Sequence, residues 1–188
     1  MKYRIHGSFI LLVALCMSQG LNAQDATEKL DASTAQKWLQ KFAGEWDVVS
    51  EGQVEGQPPS KAEAVISSSM LGKNWVVNSA KFDFPGMDMK AIQMIGFDKS
   101  KGKFVGIWAD SMTDFMWHYE GTLDEESKTL TLAAKGPSMT DPDKMDEYRD
   151  IYIFKDDDTI LSKSTVKTPS GEWSVFMEGT AKRKSESK

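Results

Sequence analysis

Asp88-Met89-Lys90-Ala91-Ile92-Gln93-Met94-Ile95-Gly96-Phe97-Asp98 runs through Lys99-Ser100-Lys101-Gly102 into Lys103-Phe104-Val105-Gly106-Ile107-Trp108-Ala109-Asp110-Ser111. Two apolar-rich segments of strand length are joined by a short polar connection that ends in glycine, which is the chemistry of a β-hairpin. The same unit repeats on both sides. Strands are expected at 45–52, 61–70, 73–83, 88–98, 103–111, 114–123, 128–135, 145–155, 159–167 and 172–182. Turn residues separate them, including Gly56-Gln57-Pro58-Pro59, Leu71-Gly72-Lys73, Phe84-Pro85-Gly86, Asp156-Asp157-Asp158 and Thr168-Pro169-Ser170-Gly171. The longest irregular stretch, Gly136 to Lys144 with Pro137 and Pro142, is expected as a loop at an open end.

About ten consecutive strands without crossover helices cannot form a parallel sheet, because parallel neighbours need long connections. The expectation is all-β: a single up-and-down antiparallel β-barrel, preferred to a sandwich because closure removes the exposed edges. Ser33 or Thr34 is placed to cap a short N-terminal helix that carries Trp38, Leu39 and Phe42 on one side and ends at Gly44.

The chain opens with Met1-Lys2-Tyr3-Arg4, an apolar run from Phe9 to Met17 and the small-residue end Leu21-Asn22-Ala23. That is the layout of a secretory signal peptide, too short in its apolar part for a membrane span, which needs about 20 residues. The expected organisation is a leader at 1–23, a spacer at 24–33, the barrel domain at 34–184 and a tail at 185–188. The protein would then be periplasmic or extracellular, with no integral membrane segment. Cys16 is the one cysteine and lies in the leader, so the mature chain would have no disulfide, thiolate nucleophile or cysteine metal ligand. Lipid anchoring at Cys16 is a secondary alternative, disfavoured by the bulk of Leu15 before it. Cleavage removes Lys2 and Arg4 and no acid, leaving 21 basic against 28 acidic side chains, so the net charge moves from −5 to −7. Such a field repels phosphate backbones, and no nucleic-acid partner is expected.

Trp38-Leu39-Gln40-Lys41-Phe42-Ala43-Gly44-Glu45-Trp46 resembles the opening of calycin folds, a short helix leading into a Gly-x-Trp strand. The stretch from Ile95 to Met112 is similar to the central signature of a bacterial lipocalin-like family catalogued as a domain of unknown function, number fifteen seventy-nine. The likeness continues through Gly121-Thr122-Leu123-Asp124, Leu130-Thr131-Leu132, Phe176-Met177-Glu178 and Lys182-Arg183-Lys184, covering most of 36–184. It departs at Ala91, where a glycine is expected, and in the acidic 136–147 loop. The resemblance implies a lipocalin-like barrel, usually exported, and brings no established activity. It also implies that Trp46 covers the closed end, crossed by Lys182 or Arg183 in a cation–π contact.

The candidate ligand-binding residues are Trp75, Trp108, Asp110, Trp117, Arg149, Phe176 and Glu178. The aromatics would be cavity wall, Arg149 a polar anchor, and Asp110 and Glu178 charges sharing alternation faces with Trp108 and Phe176. The first reading is a non-enzymatic module that binds a small apolar molecule; no cofactor and no catalytic residue is assigned. One alternative is an enzyme of unrecognised type using Asp110, Glu178 and His118 at the barrel mouth. Another is a solid structural or interaction barrel. His118, the single histidine beyond the leader, would be a haem ligand if it pointed inward. One histidine is too few for a usual zinc site, and Asp141-Pro142-Asp143 and Asp156-Asp157-Asp158 lack an EF-hand spacing. Asp110, Ser111 and His118 form no recognisable hydrolase motif. Intact-mass measurement of the protein recovered from its host's periplasmic or external fraction is expected to show a chain beginning at Gln24; a chain retaining residues 1–23 would overturn the leader assignment.

Overall fold

The computed structural model describes residues 30–53, 58–84, 87–141 and 143–185. The leader with Cys16, most of the spacer, part of the 53–59 turn, Pro85-Gly86, Pro142 and the last three residues lie outside the described set. One helix, α1 (Ala32–Gln40), precedes ten strands: β1 (Gly44–Gly52), β2 (Ser60–Leu71), β3 (Trp75–Phe84), β4 (Met87–Asp98) and β5 (Lys103–Asp110), then β6 (Trp117–Asp124), β7 (Thr129–Pro137), β8 (Met145–Asp156), β9 (Thr159–Lys167) and β10 (Trp173–Arg183). Each strand pairs antiparallel with its neighbours in sequence, and β1 pairs with β10 to close the barrel. The expected strands are all present, with ends shifted by three residues at most.

The helix cap differs from expectation. Asp31 is the N-cap, and its carboxylate accepts the backbone N–H groups of Ser33 and Thr34. A carboxylate beside the helix's positive end gains from the dipole, which a hydroxyl does not offer.

Alternation fixes the two walls. Trp46, Val48 and Ser50 of β1 are buried and face in, while Asp47 and Val49 face out. On β4 the inward set is Ala91, Gln93, Ile95 and Phe97; on β8 it is Tyr148, Asp150, Tyr152 and Phe154. The outer wall carries ion pairs, among them Lys163–Glu178 at 2.6 Å and Lys101–Glu120 at 2.6 Å. No helix among the described residues is long and apolar enough to cross a membrane.

The helix end of the barrel is sealed. Trp38 meets the rings of Phe42, Phe104 and Phe154 edge-on, with centroids 5.2, 6.1 and 5.0 Å away. Trp46 lies 2% exposed beneath them, and its indole N–H donates to the Phe42 carbonyl at 2.8 Å. The Arg183 guanidinium crosses the Trp46 ring at 4.1 Å, which settles the pair of basic candidates in favour of Arg183. Its N–H groups also donate to the carbonyls of Ala43 at 2.6 Å, Lys41 at 2.9 Å and Asp157 at 2.8 Å. One side chain therefore ties the exit of α1, the start of β1, the β8–β9 turn and the end of β10. Gly44 allows that approach: its φ is +132°, and a Cβ there would stand 2.5 Å from Arg183 Nη1. Arg183→Ala is expected to lower unfolding free energy by about 2–3 kcal/mol, the cation–π contact plus several charged hydrogen bonds. Urea denaturation followed by tryptophan fluorescence reads this out as a lower midpoint at unchanged slope.

Candidate functional site

The opposite end carries, among the described residues, the connections at 111–116, 138–141 and 168–172. Two aromatic groups stand inside it. Phe82 packs on Phe84 at 6.1 Å and on Trp108 at 6.3 Å. Across from them, Trp117 meets Tyr148 at 4.9 Å and Tyr148 meets Phe176 at 6.1 Å, both edge-on. Trp117 can lie flat because it rests on Gly136, where a Cβ would come within 2.0 Å of its ring. The Trp108 indole N–H donates to Asp110 at 2.8 Å, and the same carboxylate accepts the backbone N–H groups of Met112 and Thr113. Asp110 therefore shapes the start of the β5–β6 loop.

Below this aromatic tier runs a polar belt. Asn78 of β3 donates to Gln93 of β4 at 3.0 Å, and Gln93 donates to the Tyr152 hydroxyl of β8 at 2.8 Å. Two residues along β8, Asp150 accepts from the Tyr119 hydroxyl of β6 and from Ser164 Oγ of β9, the latter at 2.6 Å. The Asn78 Oδ1 is buried and has no hydrogen-bond partner among the described residues. Desolvation pushes the Asp150 carboxyl above the ordinary carboxylate range, partly offset by the Ser164 and Tyr119 hydroxyls that favour its charged form. Burial, and then the nearby Asp150 charge, raises the Tyr119 and Tyr152 hydroxyls, which stay neutral.

The inward wall opposite these groups is built of small residues: Ser50, Ala62, Ala64, Ser68, Ser162, Gly179 and Ala181. Asp150 and Tyr152 are deeply enclosed, yet each keeps part of its surface open to solvent-sized space, as do Ser162 and Ser164. A ten-stranded barrel with such a small-residue wall is wide enough to admit a guest.

The candidates from sequence divide into two groups. Trp108, Asp110, Trp117 and Phe176 face the interior at the open end, and Tyr148 bridges Trp117 to Phe176. Trp75, Arg149 and Glu178 are on the outer wall. Trp75 lies on the face of β3 opposite Val76 and Asn78, against Gly96, where a Cβ would come within 2.2 Å of the indole. Arg149 stacks on Trp173 at 3.8 Å. Glu178 is 56% exposed and paired with Lys163, so it cannot anchor an interior ligand. A β-bulge between Val175 and Met177 breaks the alternation, which separates Phe176 from Glu178 despite their even spacing.

His118 is exposed on the outer face of β6, opposite Ile107, and offers no imidazole to the interior. Ser111 Oγ accepts the Lys90 N–H at 3.0 Å, so Asp110, Ser111 and His118 make no triad. No group of three or more His, Cys, Asp or Glu side chains among the described residues is arranged to hold a metal. The residues missed by sequence reasoning are Asp150, Tyr152, Gln93, Asn78 and Ser164. A signal for β8 existed: Tyr148, Tyr152 and Phe154 share one parity, which assigns Asp150 to the interior and Arg149 to the outside.

A closed base, an aromatic mouth and a polar belt between them define a lipocalin-like ten-stranded barrel. The chain belongs to the family described as a protein of unknown function (DUF1579), whose model matches residues 31–183. The fold is also similar to that of Rv2717c from M. tuberculosis, at 13% identity and a TM-score of 0.61 over 82% of this chain and 100% of that one. The S-type phycobiliprotein lyase CPES from Guillardia theta is similar at 12% identity and a TM-score of 0.57, over 81% of this chain and 93% of that one. No curated protein matches the chain.

Because its folded carboxyl titrates above the unfolded value, Asp150 contributes stability that is fully present below the unfolded pKa and is lost as pH rises through the folded pKa. Asp150→Asn keeps an acceptor for one hydroxyl, offers an N–H that the other can accept by turning, and removes the charge. It is expected to melt above the wild type near neutral pH, with the gap closing at low pH where the wild-type carboxyl is protonated; thermal melts across that range check the sign.

Proposed function

We propose that this chain is an exported, non-enzymatic binding protein that holds a small, largely apolar molecule inside its barrel. The observation that carries the reading is the aromatic mouth set above part-exposed, inward-facing Asp150, Tyr152, Ser162 and Ser164 and a wall of small residues. Such a site offers large apolar area from Trp108, Trp117, Tyr148 and Phe176 and a few fixed polar groups to orient a guest, the usual make-up of a small-molecule pocket. The sealed base leaves the aromatic end as the route of entry. The likeness to two other barrels supports the reading at the level of fold only, since one barrel serves many uses. Export rests on the leader, Met1 to Ala23, by itself.

The carboxylates invoked for an enzyme do not converge: Asp110 is engaged by its own loop and Glu178 is outside. Binding without turnover is the simpler use of this interior.

Native mass spectrometry of the mature protein, purified mildly from its own host, is expected to show a reproducible added mass that disappears on denaturation. A clean apo mass, together with no change in tryptophan emission on titration with small aromatic and aliphatic compounds, would overturn the binding reading in favour of a solid barrel.

A further inference from the structure

We propose that the interior site selects its guest by charge: the inner end of the ligand is a protonated amine held by Asp150, and its apolar body lies in the aromatic tier above. This deepens the binding reading and rests on it.

Asp150 has accepting capacity that its neighbours leave unused. A carboxylate has about four acceptor positions. Asp150 receives one hydroxyl on each oxygen, from Tyr119 and Ser164. No described Lys, Arg or His forms an ion pair with it. The groups that face it are Tyr119 on β6, Tyr152 on its own strand and Ser164 on β9, with Gln93 of β4 behind Tyr152, and all are neutral. An isolated charge in such a place is strongly disfavoured unless a counter-charge arrives.

Asn78, 7% exposed and inward-facing, presents a carbonyl oxygen with no donor among the described residues, while its amide nitrogen donates to Gln93. An ammonium head supplies three donors and brings the counter-charge that Asp150 lacks. The faces of Trp117, Tyr148 and Phe176 also favour a cation passing or resting beside them, and a net-negative protein attracts one. A carboxylate guest would meet the Asp150 charge, and a neutral guest would leave it uncompensated.

The test uses three ligands of one shape, 4-phenylbutylamine, 4-phenylbutanol and 4-phenylbutanoate, titrated calorimetrically into wild type and Asp150→Asn. The amine is expected to bind at least about tenfold tighter than the alcohol near pH 8, an advantage of about 1.4 kcal/mol, and the carboxylate weakest. The preference should collapse in Asp150→Asn. In the wild type alone, amine affinity should fall as pH drops through the Asp150 titration while alcohol affinity holds, so the inference remains testable should the variant fail to fold. Equal binding of all three, a preference that survives the substitution, or tighter binding of the alcohol or carboxylate would overturn the amine assignment and leave the binding reading standing. Failure of all three to bind overturns the amine assignment, and a clean native mass alongside it would remove the binding reading as well.

Discussion

Arg183 sits where the last strand, the first strand, the helix exit and the β8–β9 turn converge, and its guanidinium lies flat on the Trp46 ring. The pairing of β1 with β10 joins segments more than a hundred residues apart, which loop-closure entropy opposes until many contacts form together. Trp46 and Arg183 stand opposite each other in that register, so the contact pins both the closure and its alignment. A shift of one residue would turn Trp46 out of the core and send every inward side chain of the seam to the outer wall. The aromatic plug above it, with Trp38, Phe42, Phe104 and Phe154, then has a fixed floor.

A floor at one end makes the barrel asymmetric. Apolar packing is spent on the base, where large rings touch edge to edge. Further up, β1, β2, β9 and β10 turn serine, alanine and glycine inward, and the sheet cannot close over the space these leave because strand number and pairing set its width. The polar belt lies against that space. Its groups satisfy one another incompletely, which a buried network tolerates only where water or a guest completes it. The same features thus account for the elevated Asp150 carboxyl and for the binding reading.

Much of the barrel was legible along the chain. Turn chemistry at Asp98-Lys99-Ser100-Lys101-Gly102 and Asp156-Asp157-Asp158 marked hairpins, and the strands between them fall within three residues of the expected bounds. The site was half legible. Trp108 and Trp117 were recognisable as interior aromatics, whereas Arg149 was selected on its charge, and its neighbour Asp150 is the residue that faces in. A strand pattern states that neighbours face opposite ways but not which way is in, and Ile151 and Ile153 on the Arg149 face blurred the contrast. The bulge at Phe176 was invisible for a related reason: one extra residue resets the parity, and the sequence there carries no glycine or proline to announce it.

The sequence by itself determined that this is an all-β, antiparallel, single-barrel protein with a short leading helix, because short-range turn chemistry and the absence of crossover segments leave few other topologies. It also determined the family, through the residues around Gly96 to Trp108. Only the tertiary structure decided that Asp31 caps the helix, that Arg183 and not Lys182 crosses Trp46, that Arg149, Trp75 and Glu178 are outside, and that Asp150 faces inward among neutral neighbours. Those outcomes depend on the register in which distant strands meet and on how ten of them share one interior, quantities that no local stretch of chain contains.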